Sequence, residues 1–190
     1  MKPAMATAAK TRGKERRRID RAVPVAAVPR DQVDAFRGAW ARELPDVDTE
    51  GMAIIGRARR LTLKLREGIE AIFAVYGIDA GEFDVLGTLL RSGAPYRLRP
   101  TELFRSLMVS SGGLTNRLAR LENSGLVRRV PAAEDGRSLL VELTAAGRRL
   151  AERVFRQDMA HEKAVLQKLS AGDRRQLADL LRKLSLALEA

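Results

Sequence analysis

The stretch that decides the fold is Arg99–Thr144, RPTELFRSLMVSSGGLTNRLARLENSGLVRRVPAAEDGRSLLVELT. Pro100 suits the first turn of a helix, where a missing N–H costs nothing. Leu103 and Leu107 then follow four apart, on one face of a helix over 101–107. Met108 and Val109 turn the chain, and Ser110 stands where the next helix needs an N-cap. In that helix Leu114, Leu118 and Leu121 form a single apolar stripe, which Gly125 ends. Strands near Leu126–Val130 and Leu139–Leu143 come next, joined by the charged tip PAAEDGRS. Helix, turn, helix and a two-stranded wing together predict a winged helix-turn-helix, which lays its second helix in the major groove of DNA.

With the leucine stripe turned inward, Gly112, Thr115, Asn116, Ala119 and Asn123 point away from the core, and Ser110 and Ser111 sit at the start of the helix. Hydroxyls and free N–H groups at a helix N-terminus suit phosphates. Gly112 and Gly113 remove side chains where backbone must approach DNA, which accounts for two glycines that cost about 1 kcal/mol each in a helix. Asn116 is suited to pair with a base edge, preferentially adenine. In the wing, Arg137 near the tip can enter a minor groove, with Asp135 holding its guanidinium. Arg128 and Arg129 lie at the base of the first strand, where one or both face phosphate. The expected DNA contacts are therefore Ser110, Ser111, Gly112, Gly113, Thr115, Asn116, Arg128, Asp135 and Arg137.

Outward from this unit the pattern is helical. A short helix is expected from its N-cap Asp31 to about Leu44, before Pro45. A long one follows over about 52–76, with apolar residues at three- and four-residue spacing, and Gly77 closes it. Asp79 and Glu82 have the spacing of a capping box for a helix that runs to about Ser92. Thr144 caps a helix reaching about Leu169, and Ser170 caps the last, to about Leu188. The fold class is mainly α, with a wing.

The 190 residues carry a formal charge of +11. Residues 1–21 hold eight basic residues against two acidic ones, and residues 1–30 as a whole read as a flexible basic arm, with Met5 offering a second start. Such a field draws polyanions, and double-stranded DNA is the partner the winged unit calls for. There is no cysteine and a single histidine, His161, so neither a thiolate zinc site nor a catalytic triad is expected. No enzyme activity, metal or cofactor is expected. No apolar run approaches the ~20 residues of a membrane span, and no secretory signal is seen, so a cytoplasmic protein without a membrane partner is expected. Gly51-Met-Ala-Ile-Ile-Gly56-Arg57 has P-loop glycine spacing but lacks the Lys-Ser/Thr that would follow. His161 shares an apolar stripe with Val154 and Val165, as a partly buried dimer-face residue or a pH-responsive one stacked near its two-fold mate.

PTELFRSL, VSSGGLTNRLARLENSGLV and EDGRSLLVELTAAG together resemble the MarR family of bacterial transcription regulators. The likeness covers roughly residues 35–188 and is most specific over 82–148. It implies an intertwined helical homodimer whose two winged lobes address successive major grooves of a palindrome. A narrower likeness is to the urate-responsive branch of that family. Its marks are an extra N-terminal helix with a tryptophan, then PDVDTEGMAIIGR, GEFDVLGTLLRSGAPYRLRPTEL and SSGGLTNRL. That branch implies a small anionic ligand, typically urate, held between winged lobe and dimer helices by Trp40, Asp84, Arg117 and Arg129. An indole and two guanidinium groups suit a flat, weakly acidic purine. Arg117, on the flank of the leucine stripe, can turn toward a crevice instead of the groove. The wing departs from the family at Ala132, where an aspartate is common, and at Gly136-Arg137, where two arginines are; one wing-tip contact is thereby missing or moved.

The expected organisation is a basic arm over 1–30, dimerisation helices over 31–80, the winged lobe over 81–144 and C-terminal dimerisation helices over 145–190. The expected function is a repressor released from a palindromic operator by a ligand such as urate. The alternatives are a MarR-type repressor responding to phenolic acids and a constitutive architectural DNA-binding protein.

Overall fold

The computed structural model describes residues 29–108, 113–132 and 139–189. It divides into two units between Ala53 and Ile54, inside the segment 31–80.

In the N-terminal unit, helix α1 (Gln32–Glu43) begins at the expected cap. The Asp31 carboxylate accepts the Val33 and Asp34 N–H groups at 2.8 and 3.1 Å, and Asp34 returns the favour to the Asp31 N–H at 3.0 Å. The helix ends at Glu43, two positions before Pro45, whose ring disfavours helical geometry for Leu44.

A π-helical turn, Met52–Gly56, spans the boundary and runs into α2 (Arg57–Val75) of the second unit. Then come α3 (Ala80–Arg91), β1 (Arg97–Leu98), α4 (Pro100–Ser106), α5 (Leu114–Asn123), β2 (Val127–Pro131), β3 (Leu139–Leu143), α6 (Ala145–Leu166) and α7 (Ala171–Glu189). Helix α3 is the centre of the core. Val85, Leu86 and Leu89 are fully buried on it, against Leu103 of α4, Leu118 and Leu121 of α5, Val141 of β3 and Val154 of α6. Phe73 and Phe83 stack at 4.7 Å and join α2 to this core.

Two features differ from the sequence reading. The wing is a three-stranded sheet in the order β1-β3-β2, with Arg97 and Arg128 both opposite Glu142. A strand of two residues is too short to show the alternation that betrays strands. The second helix of the helix-turn-helix begins at Leu114, not just after Ser110, and Gly113 is its N-cap with φ +77°. That backbone is left-handed, where glycine is at ease and other residues are strained. Gly113 therefore opens the helix at little cost, and no penalty for a glycine inside α5 needs a functional explanation.

The C-terminal helices are capped as expected. Thr144 Oγ1 accepts the Gly147 N–H at 3.0 Å, and Ser170 Oγ accepts that of Asp173 at 3.1 Å. No residue of α7 is buried, although Leu177, Leu180, Leu181, Leu184 and Leu188 lie along it.

Candidate nucleic-acid interface

The amphipathic pattern of α5 sorts its residues into three sides. Leu114, Leu118 and Leu121 are buried and fix the helix on the lobe. Thr115, Asn116, Ala119 and Asn123 are exposed on the opposite side, as a groove-reading face requires. Beside the start of that face, Pro100, Thr101, Phe104 and Arg105 of α4 and Gly113–Asn116 of α5 line an open groove of about 570 Å³. The expected contacts Thr115 and Asn116 thus lie together, next to Gly113. Ser110, Ser111 and Gly112 at the turn, and Asp135 and Arg137 at the wing tip, fall outside the described residues.

The third side of α5 faces the first turn of α3. Arg117 lays its guanidinium over Gly81: a Cβ there would stand 2.5 Å from Cζ, so any larger residue would displace the guanidinium from this position. Asp84, one turn further along the same face of α3, is buried at 8% exposure. It is no solvated carboxylate on a polar helix face. Arg120, one turn after Arg117, bonds Glu82 Oε1 through Nε at 2.6 Å and Asp79 Oδ2 through Nη2 at 2.7 Å. The Glu82 hydrogen bond and charge, followed by that of Asp79, raise the Arg120 pKa above its already high ordinary value. Sequence reading finds the Asp79–Glu82 capping box but not its tie to Arg120. Nothing local signals that a residue some forty positions away completes it.

The two wing arginines diverge, because neighbouring strand residues face opposite ways. Arg128 is held by Glu142 on the middle strand, with Nε at 3.1 Å from Oε1. Arg129 meets Glu122, near the end of α5, at 3.3 Å. Of the expected ligand set, Arg117 reaches the face of α3 that carries Asp84, while Arg129 is tied to Glu122 at the far end of α5. Trp40 belongs to the N-terminal unit, on the last turn of α1, and is 49% exposed. His161 is half-buried and packs its imidazole against Gly68 of α2, where a Cβ would stand 2.7 Å from Nε2. Near it on α6, burial pushes the Asp158 carboxyl up, opposed by His161; burial and then the Asp158 charge raise Glu162.

Among the described residues no three His, Cys, Asp or Glu side chains group as a metal site, and no helix is long and apolar enough to cross a membrane. The arrangement is that of a reader of DNA: an exposed polar helix face whose other two sides are seated on the lobe, flanked by arginine-bearing strands.

Comparison with known proteins agrees with this geometry. Residues 76–138 match the MarR family. The transcriptional regulator PecS of Dickeya dadantii is 38% identical over 142 residues, covering 75% of this chain and 86% of that protein. The chain belongs to the MarR family. Among solved structures, wild-type MarR of E. coli in its apo form is 31% identical with a TM-score of 0.54, over 68% of this chain and 95% of that one. The Mycobacterium tuberculosis MarR-family protein Rv2887, solved in complex with p-aminosalicylic acid, is 30% identical with a TM-score of 0.56, over 70% of this chain and 98% of that one. This MarR-family chain is accordingly a DNA-binding transcriptional regulator with a mainly α winged helix-turn-helix fold. Regulators of this kind are typically non-enzymatic.

Proposed function

We propose that the protein is a homodimeric repressor, released from a palindromic operator when a small anionic aromatic compound enters beside α3. The observation that carries this reading is Arg117: it stands on the DNA-reading helix yet extends over Gly81, on the face of α3 that bears the buried Asp84. An anion that takes this guanidinium brings like charge to Asp84, and repulsion then moves α3 and α5 apart. The energy required is modest, because a tenfold loss of operator affinity is about 1.4 kcal/mol. Urate is the ligand that the sequence resemblance implies, and it is the resemblance alone that names Trp40 and Arg129 beside Asp84 and Arg117. The p-aminosalicylic acid bound to the relative Rv2887 keeps phenolic acids within the same class.

Gel-shift titration of the operator complex with urate and salicylate-type acids tests this. Wild type should release DNA at micromolar-to-millimolar ligand, while Asp84→Asn and Arg117→Ala should both blunt release and remain folded. Unaltered release in both variants would remove the proposed site. A wild-type complex indifferent to every acid would favour an architectural role for the basic arm.

The homodimer is supported by α7 and the end of α6. Leu180, Leu181 and Leu188 are 55%, 52% and 79% exposed in the single chain, and Leu166 at the end of α6 is 41% exposed. A helix with this much bare apolar surface needs a covering partner in water, and a second copy of the chain supplies one. Recognition helices about 34 Å apart would then meet successive major grooves. Sedimentation at micromolar concentration should give a dimer, and a monomer would refute it.

A further inference from the structure

We propose that Asp79, Glu82 and Arg120 form a clamp that sets the angle of the recognition helix, so that both carboxylates are positioning residues for operator recognition. This rests on the reading of the chain as an operator-binding regulator.

A capping box occupies one oxygen of each carboxylate. Here Asp79 Oδ1 accepts the Glu82 N–H at 2.7 Å, and Glu82 Oε2 accepts the Asp79 N–H at 2.8 Å. The other two oxygens are spanned by one guanidinium, with Arg120 Nε on Glu82 Oε1 at 2.6 Å and Nη2 on Asp79 Oδ2 at 2.7 Å. Each carboxylate is therefore fixed by backbone on one side and fixes α5 on the other. The fork of a guanidinium holds direction as well as distance. The Glu82 side chain is only 9% exposed, so its charge depends on this partner from another helix.

Arg120 is four residues after Asn116, about 40° around the helix, so the clamp flanks the groove-reading face itself. Leucine packing by Leu114, Leu118 and Leu121 seats α5 on the lobe but tolerates small rotations, because dispersion contacts have no preferred direction. The short charged hydrogen bond to the buried Glu82 resists them most, since such bonds weaken steeply with misalignment, and the exposed Asp79 leg adds less. Glu82 is also two residues before Asp84, which makes the clamp the stiff element through which a displacement of α3 would reach Asn116.

The competing role for Arg120 is a direct phosphate contact, and the two roles predict opposite signs. In the full chain, Glu82→Gln keeps a capping-box residue and Asp79→Asn keeps a good N-cap, but each removes charge facing Arg120. If the clamp positions α5, Glu82→Gln should weaken binding to the duplex that wild type selects from a randomised pool by about tenfold. Binding to mixed-sequence DNA should stay within about twofold, with the salt slope unchanged. Asp79→Asn should show the same pattern in smaller degree, and Glu82→Gln with Arg120→Gln should be no worse than the worse single variant. Melting curves accompany each variant, and Asp79→Asn carries the test if Glu82→Gln does not fold. Tighter binding of both variants to every duplex would mean that Arg120 has been released to phosphate, and it overturns the clamp. So does an unchanged ratio of selected to mixed-sequence affinity. A wild-type chain that selects no sequence refutes the regulator reading itself, and the clamp with it.

Discussion

Replacing Gly147 by alanine is expected to destabilise the protein by about 3 kcal/mol, at the upper end of what overpacking costs. Gly147 is buried in the first turn of α6, against the backbone of Leu126. A Cβ there would stand 2.8 Å from the Leu126 carbonyl carbon and closer still to its oxygen. Backbone cannot rotate away as a side chain can, so α6 has to shift. The shift strains the junction that joins the winged lobe to the C-terminal helices. Thr144 donates its N–H to the Leu126 carbonyl at 3.1 Å and its hydroxyl to that of Gly125 at 2.7 Å, while capping α6. Urea unfolding should show a lower midpoint with an unchanged slope. Gly87 of α3 is the control, since a Cβ there meets only Phe83 Cζ at 3.9 Å. Gly87→Ala should be neutral or stabilise by about 0.5–1 kcal/mol through helix propensity. If Gly147→Ala lies within about 0.5 kcal/mol of wild type, the junction is softer than its packing indicates.

Removing the Asn116 side chain should cost about 1–3 kcal/mol of operator affinity and flatten sequence preference at one base pair of each half-site. Asn116 is exposed, stands on the side of α5 opposite the leucines, and adjoins the groove beside Pro100 and Phe104. Its amide has a donor and an acceptor and so matches the paired groups on an adenine edge, whereas alanine retains neither. The fold should be unaffected, because nothing in the core rests on this side chain. Affinity for mixed-sequence DNA and its salt slope should barely move, which separates a base contact from a phosphate contact. A variant with unchanged preference at every position of the operator would show that another face of α5 enters the groove.

The sequence by itself determined most of the helices and the side of α5 that faces the core. Asp31, Asp79, Thr144 and Ser170 cap the helices they were expected to cap, and the stripe of Leu114, Leu118 and Leu121 faces the core. Caps and apolar periods are local: the hydrogen bonds and the burial they specify lie within a turn or two of the residues that encode them. The outward placement of Thr115 and Asn116 follows from the same stripe, so the exposed polar face of α5 was legible too. Only the tertiary structure decided what depends on residues far apart in the chain. It added β1 to the wing through pairing with β3, and it opened α5 at Gly113 by a positive φ that no spacing of side chains reveals. It buried Asp84, laid Arg117 over Gly81 and parted Arg129 from Arg117 along α5. It joined Arg120 to Asp79 and Glu82, separated by 41 and 38 positions. A charged side chain on the flank of a helix has several directions open to it, and the packing of the neighbouring helix selects one.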